Sequence, residues 1–397
     1  MKKFILLFCT ICFSVQGVEQ EDIRTLLNRV RPDETVRSQV ESTLGLGGTL
    51  SPQNEEQLNS HLQRMLQYAL DFPLLMEGAF MQKQSHLIWL AARTLKQNEV
   101  IPLDDDTANH HQVHFIYDEE TGEKFAVFKS GGQRNYERMT WELAYLFGLE
   151  DVFTPALSLN LSGYSGVLQP FQKTDLTTEQ TNDRSLYDLI AYESYMKCSL
   201  GVLLFALQDM HSENSYYQFC REGYIKMGFW DTEAAFEQDQ FLPYFPDSGS
   251  PSLDTPFSWI GFDSFHYERV ISKRFRPILM KIVGSWPKRI QMFRDYLSHP
   301  LTLNSLSDED METLIQRAQS LHQTILRHPE QPISEWHKTL CPKYVEAEEK
   351  LKEFFPDEDT MWILFQLKLN PDEAYGLIDG GREEEFKSWL EAFLMRT

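Results

Sequence analysis

The sequence predicts an α+β protein in which a small antiparallel sheet sits between two helical regions. Three observations predict it. Residues 113–129 and 157–171 hold pairs of alternating apolar runs, the period-two signature of strands. Residues 18–98 and 266–397 instead repeat apolar residues at the three- and four-residue spacing of helices. A long apolar helix over Tyr187–Leu207 then enters a polar turn and a further strand ending at Trp230-Asp231. With 397 residues the chain can hold two or three domains, divided here as 1–17, 18–105, 106–265 and 266–397.

The first 17 residues read as a secretory signal peptide. Lys2-Lys3 precedes an apolar run over Phe4–Val15, and Val15-Gln-Gly17 offers small residues for cleavage. So short a run does not span a bilayer as a helix, so a secreted or periplasmic protein without a stable membrane span is expected. The remaining Cys198, Cys220 and Cys341 are odd in number and widely spaced, neither a disulfide framework nor a zinc pattern. A net charge of −22 argues against nucleic acid or an anionic bilayer as the main partner.

From residue 18 to 105 the pattern is helical. Ile23, Leu26, Leu27 and Val30 share one face, as do Leu58, Leu62, Met65, Leu66 and Ala69 after the Gly45–Pro52 break. Arg64 and Gln67 are placed on the solvated side. This region carries no evident chemistry and reads as a structural cap or a partner-binding helical region.

The acidic linker Asp104-Asp-Asp106 leads to a hairpin. Val113–Tyr117 and Lys124–Lys129 alternate faces around a turn at Glu119–Gly122. Lys129 closes the second strand, where an ammonium either keeps a sheet edge soluble or, held by a carboxylate, neutralises nucleotide phosphate. A helix follows, with Met139, Leu143, Leu146 and Phe147 on one stripe and Gly148 as its C-cap. Glu142 lies off that stripe and is the expected partner of Lys129, with Glu137 as the alternative. Leu157–Leu161 and Gly166–Phe171 form the next strand pair.

The segment Asp209-Met-His-Ser-Glu-Asn214 follows the apolar helix. Ile225, Met227 and Phe229 then alternate along a strand that delivers Asp231. Asx-rich turns often do no more than cap a helix. With Lys129 upstream, however, these types suit phosphoryl transfer. Asn214 and Asp231 are hard oxygen ligands for magnesium, and Asp209 is left to face an acceptor hydroxyl. His211 reads as a structural hydrogen-bonder rather than a base or a metal ligand.

Asp209-x-His211-x-x-Asn214 followed by Asp231 resembles the catalytic loop and metal-binding Asp of the phosphatidylinositol 3-/4-kinase-like group. Val127-Phe-Lys129 and Glu142-Leu-Ala-Tyr-Leu are similar to that group's lysine strand and the short helix after it. The resemblance covers roughly residues 110–265 and implies a two-lobed kinase-like core: a small antiparallel sheet lobe plus a helical lobe. It implies ATP and Mg2+ as cofactors. Lys129 would steady the phosphates, Glu142 hold Lys129, Asp209 orient or deprotonate the acceptor, and Asn214 with Asp231 bind the metal. The backbone at Leu168, Gln169 and Phe171 would meet adenine as an interlobe hinge. Three residues depart from the group's pattern: Met210 stands where Arg is usual, Glu233 where Gly is usual, and Ser130 where Pro is common.

Between Gly228 and Phe265 there is no Lys or Arg, against seven carboxylates at 231, 233, 237, 239, 247, 254 and 263. Acidic side chains oppose approach to an anionic lipid surface, so a protein or other non-polyphosphoinositide hydroxyl is the expected acceptor. Residues 266–295 are basic and amphipathic, from Arg269 to Arg294. Helices are expected at Met311–His328, Ile333–Phe355, Asp357–Leu369 and Pro371–Met395. The reading is an atypical secreted kinase, possible host delivery resolving the scarcity of ATP outside the cytoplasm. Its alternative is a catalytically inactive pseudokinase that binds nucleotide or protein.

Overall fold

A computed structural model describes residues 22–73, 79–98, 112–130, 134–176, 189–207, 214–232, 235, 269–299 and 306–340. The leader, Asp209, Met210, His211, Glu233, most of the acidic segment and everything after Leu340 lie outside the described residues. So do the expected helices at 357–369 and 371–395. The described chain is α+β, with helices, a four-stranded antiparallel sheet and a two-stranded hairpin.

Four helices come first: α1 (Ile23–Val30), α2 (Glu34–Gly47), α3 (Pro52–Asp71) and α4 (Ala79–Asn98). Their starts are local chemistry. The Asp33 side chain accepts from Val36 N–H at 2.9 Å, and Ser51 caps α3 with Pro52 in its first turn. Leu26, Leu27, Leu58, Leu62, Met65 and Leu66 are buried as the periodicity predicts. Arg64 is not where it was expected. It is buried rather than solvated, because its face of α3 turns toward the sheet-bearing part of the chain.

The sheet has the order β1-β2-β4-β3, with β1 Gln112–Tyr117, β2 Lys124–Ser130, β3 Leu157–Leu161 and β4 Tyr164–Pro170. Ser162 (φ 51°) and Gly163 (φ 88°) make the two-residue turn between β3 and β4, both in the left-handed region that such a hairpin requires. Helix α5 (Arg134–Leu146) crosses between β2 and β3 in sequence and packs on β3 and β4. The N-terminal helices are bound to this unit: α4 packs on β3 and β4, and Gln57 and Asn160 exchange two hydrogen bonds. Arg93 pairs with Asp118 in the β1–β2 turn and lies over the Trp89 and Phe125 rings.

Helix α6 spans Tyr192–Phe205, shorter than the expected Tyr187–Leu207. Ala206 ends it in the left-handed conformation (φ 48°), and residues 177–188 are outside the described set. Nearly all of its residues are buried, as an apolar sequence around the whole circumference requires. Strands β5 (Ser215–Phe219) and β6 (Ile225–Phe229) follow as a hairpin. Beside β6, the Phe229 N–H donates to Val152 O, and Thr154 N–H donates back to Phe229 O. These bonds tie the strand's end to the segment after α5.

The basic region is two helices, not one: α7 (Arg276–Gly284) and α8 (Trp286–Leu297). Pro287, which has no N–H to offer, sits in the first turn of the second. Helix α9 runs Asp308–Arg327, earlier than expected, because Ser307 and Asp310 form a capping box that draws the three acidic residues into the first turn. Helix α10 (Ile333–Leu340) is the described part of the helix expected from Ile333. Among the described residues no helix is long and apolar enough to cross a membrane.

Candidate functional site

Alternation along β2 buries Lys129 and aims it away from Phe128. Its ammonium is 3.0 Å from Glu137 Oε1, 3.1 Å from Asp231 Oδ2, and donates to the Trp230 carbonyl at 2.8 Å. Trp230 is 101 residues further along the chain. The sheet, the first turns of α5 and the end of β6 therefore meet at one cation. Close approach of the strands here depends on Gly166: a Cβ there would lie 2.2 Å from the Lys129 carbonyl oxygen.

The carboxylate that holds Lys129 is Glu137, and the expectation of Glu142 is corrected. The two are five residues apart on one helix, about 140° around its axis, so they cannot both face the strand. Glu142 instead accepts from Arg138 at 3.3 Å, from Arg64 on α3 at 3.3 Å, and from the hydroxyl of Tyr296 on α8. Burial by itself would raise Glu142, but Arg138, Arg64 and the Tyr296 hydroxyl outweigh it and hold the carboxyl below the usual glutamate range. Burial, followed by the Glu142 charge, pushes the Tyr296 phenol well up. His61 lies in the same surroundings. Burial and then the two guanidinium charges depress it to about 3, so its imidazole is neutral.

Asn214 and Asp231 are brought together by the hairpin. Ser215 pairs with Phe229, and Trp230 N–H donates to Asn214 O at 3.1 Å, so both residues stand at the open end of β5 and β6. Asp209 and His211, in sequence between α6 and β5, lie outside the described residues. Asp231 is partly solvent-accessible, with 21% of its side chain exposed.

Beside this cluster lies an apolar strip. Directly paired residues share a sheet face, so Val113 and Phe115 of β1 lie on the side of Val127 and Lys129 of β2, and of Val167 and Gln169 of β4. Val113 and Phe115 are 46% and 44% exposed, unusual for residues of this kind within a sheet. Phe171 meets Phe115 edge-on with ring centroids 6.0 Å apart, and the Lys124 ammonium lies 3.7 Å from the Phe115 centroid.

The hinge residues are placed differently from expectation. Leu168 is in a central strand, paired with Phe128 on one side and Leu157 on the other, and its side chain is fully buried. Gln169 pairs with Val127, and Phe171 N–H donates to Phe125 O at 3.0 Å. The sheet ladder thus continues to Phe171, which moves any exposed hinge backbone to the segment after it. That segment runs beside β5, where Asp175 N–H donates to Tyr217 O and Phe219 N–H donates to the Asp175 carboxylate.

Sequence reading missed the Trp230 carbonyl and the partners of Glu142. Only the four-residue spacing of Arg138 and Glu142 could have pointed to the second cluster. Among the described residues, no group of three or more His, Cys, Asp or Glu side chains is gathered as if around a metal. In comparison with known proteins, the chain matches no family model and no curated relative.

Proposed function

We infer that this chain is an atypical, phosphatidylinositol 3-/4-kinase-like phosphotransferase acting on a hydroxyl of a protein or another acceptor that is not a polyphosphoinositide. One observation carries the reading: Lys129, Glu137 and Asp231, from three separate elements, meet at 3.0 and 3.1 Å. In this reading β1–β4 with α5 form the small lobe, and α6, β5, β6 and the later helices belong to the larger one.

The residues fit a magnesium-bound nucleotide. Lys129 supplies a cation that a phosphate can share, and Glu137 keeps it in place. Asn214 and Asp231 offer hard oxygen donors, and the partly exposed Val113 and Phe115 offer an apolar edge to a base. Bound ATP and magnesium would supply the phosphoryl group and neutralise its charge. Asp209 would orient the acceptor hydroxyl or take its proton. The carboxylate-rich segment after Asp231 supports a neutral or basic acceptor over an anionic lipid headgroup.

The second reading is a pseudokinase, favoured by Met210 and Glu233 at positions where the resembled group carries Arg and Gly. Thermal stabilisation by Mg-ATP separates the outcomes. At a hundred times its Kd the ligand adds about 2.7 kcal/mol to the wild type, a gain expected to vanish in Lys129→Ala and Asp231→Ala. No stabilisation of the wild type defeats both nucleotide readings. Stabilisation without transfer of label from γ-labelled ATP leaves the pseudokinase. Efficient labelling of phosphoinositide vesicles, with none of protein, reverses the acceptor.

A further inference from the structure

The cluster around Glu142 makes no contact with Lys129, yet it is built on the helix that positions Lys129's partner. We propose that Arg64, Arg138, Glu142 and Tyr296 form a brace that sets the rotation and register of α5, and so holds Glu137 on Lys129. The brace rests on the nucleotide-site reading for its purpose, but its geometry stands apart from it.

The partners of Glu142 arrive from both flanks of the chain. Arg64 lies 78 residues before Glu142 on α3, and Tyr296 lies 154 residues after it on α8. Arg138 joins from the preceding turn of α5 itself. Neighbouring contacts repeat the pattern. Phe80 of α4 stacks on Trp141 at 5.1 Å, and its N–H donates to the Tyr145 hydroxyl. Beyond the helix end, Trp286 Nε1 donates to Phe147 O at 3.0 Å, and Arg289 donates to the Tyr145 and Leu146 carbonyls, capping the C-terminus of α5.

Why use ions here, when apolar packing would fill the space? Apolar contacts are non-directional, so each defines the angle of a helix less sharply than a directed hydrogen bond does. A carboxylate held by two guanidiniums and a phenol has few acceptable positions, so it specifies where the helix stops. Glu137 needs that specification. Its bond to Lys129 is lost if α5 rotates by part of a turn, and Glu142, fixed to the same helix, turns by the same angle and would leave its own partners. Under this proposal Arg64, Arg138, Glu142 and Tyr296 are positioning residues, and the nucleotide site is complete only with both helical flanks docked.

The test reads Lys129 directly, in the full-length protein and without nucleotide. The rate at which an acetylating reagent modifies Lys129, followed by peptide mapping, reports whether its ammonium remains engaged. Tyr296→Phe, which removes one hydroxyl, and Glu142→Gln are expected to raise that rate about fivefold or more. Val40→Ala, a buried change on α2 that is not in the cluster, serves as a control for general destabilisation. It should leave the rate unchanged at a comparable drop in Tm. Unchanged labelling in both cluster variants, or an equal rise in the control, overturns the brace. Mg-ATP affinity is measured in parallel, and a five- to tenfold loss in Tyr296→Phe supports the link to the nucleotide site. A wild type that does not bind Mg-ATP removes the nucleotide reading, while the labelling rates still decide whether the brace exists.

Discussion

Helix α5 carries two buried carboxylates, and their surroundings differ in the ratio of charges. Around Glu142 two guanidiniums and a phenol converge on one anion, in a place closed to water. Around Lys129 one ammonium serves two carboxylates, at the partly open mouth of the β5–β6 hairpin. The first arrangement is enclosed by protein, with the side chains of Arg64, Arg138, Glu142 and Tyr296 all buried. The second places two carboxylates on one ammonium, and one of them, Asp231, is partly exposed. Burial and perturbation by charge are thus poor guides to function unless the balance of partners is also counted.

The largest effect that would test this contrast is expected at the closed end. Arg64→Met removes one guanidinium while Glu142 keeps Arg138 and the Tyr296 hydroxyl, and should lower the free energy of unfolding by about 2–3 kcal/mol, measured by urea titration. A loss below about 1 kcal/mol would show that the cluster relaxes, and the contrast would collapse.

Acidification sharpens the same point. His61 has its pKa depressed from 6.5 to about 3 in the fold, so the unfolded chain binds its proton first. Its contribution is full above about pH 6.5 and declines as pH falls toward about 3, at about 1.4 kcal/mol per pH unit. Glu142 acts in the same direction at lower pH: its lowered folded pKa gives stability that is present above the ordinary glutamate value and lost as pH drops through the lowered one. His61→Gln should flatten the slope of stability between pH 6.5 and 4, as read from denaturant midpoints across that range.

The smallest effect on stability is expected at the open end. In Asp231→Asn, Lys129 keeps Glu137 and the Trp230 carbonyl, and the lost partner is partly solvated, so the cost should be about 1 kcal/mol or less. The same variant should lose stabilisation by Mg-ATP. If Asp231→Asn were instead as damaging as Arg64→Met, the Lys129 cluster would be a second structural lock.

Much of the architecture was legible because it is local. Alternation located β1–β4 and β6, and three-four spacing located the buried faces of α1 and α3. The Asp33 and Ser51 caps are likewise readable within a few residues of their helices. The positions of Lys129, Asn214 and Asp231 near strand ends were legible because alternation shows where a strand begins and stops. The choice between Glu137 and Glu142 was not legible, since periodicity gives the faces of a helix without saying which neighbour each face meets. Arg64 was misread for a related reason: a cation on a helix opposite the apolar stripe is solvated only when nothing packs there. The strand holding Leu168 was legible from alternation, but which of its backbone groups pair within the sheet depends on neighbouring strands.

The sequence by itself determined the α+β class, the alternating strands and the buried faces of α1 and α3, because apolar periodicity over a few residues decides those. Only the tertiary structure decided that Glu137 meets Lys129 and Asp231 while Glu142 is enclosed by Arg64, Arg138 and Tyr296. Lys129–Glu137 and Arg138–Glu142 are only eight and four residues apart, but the other pairings join residues dozens to more than a hundred positions apart, and a buried charge takes whichever partner the packing of whole elements brings to it.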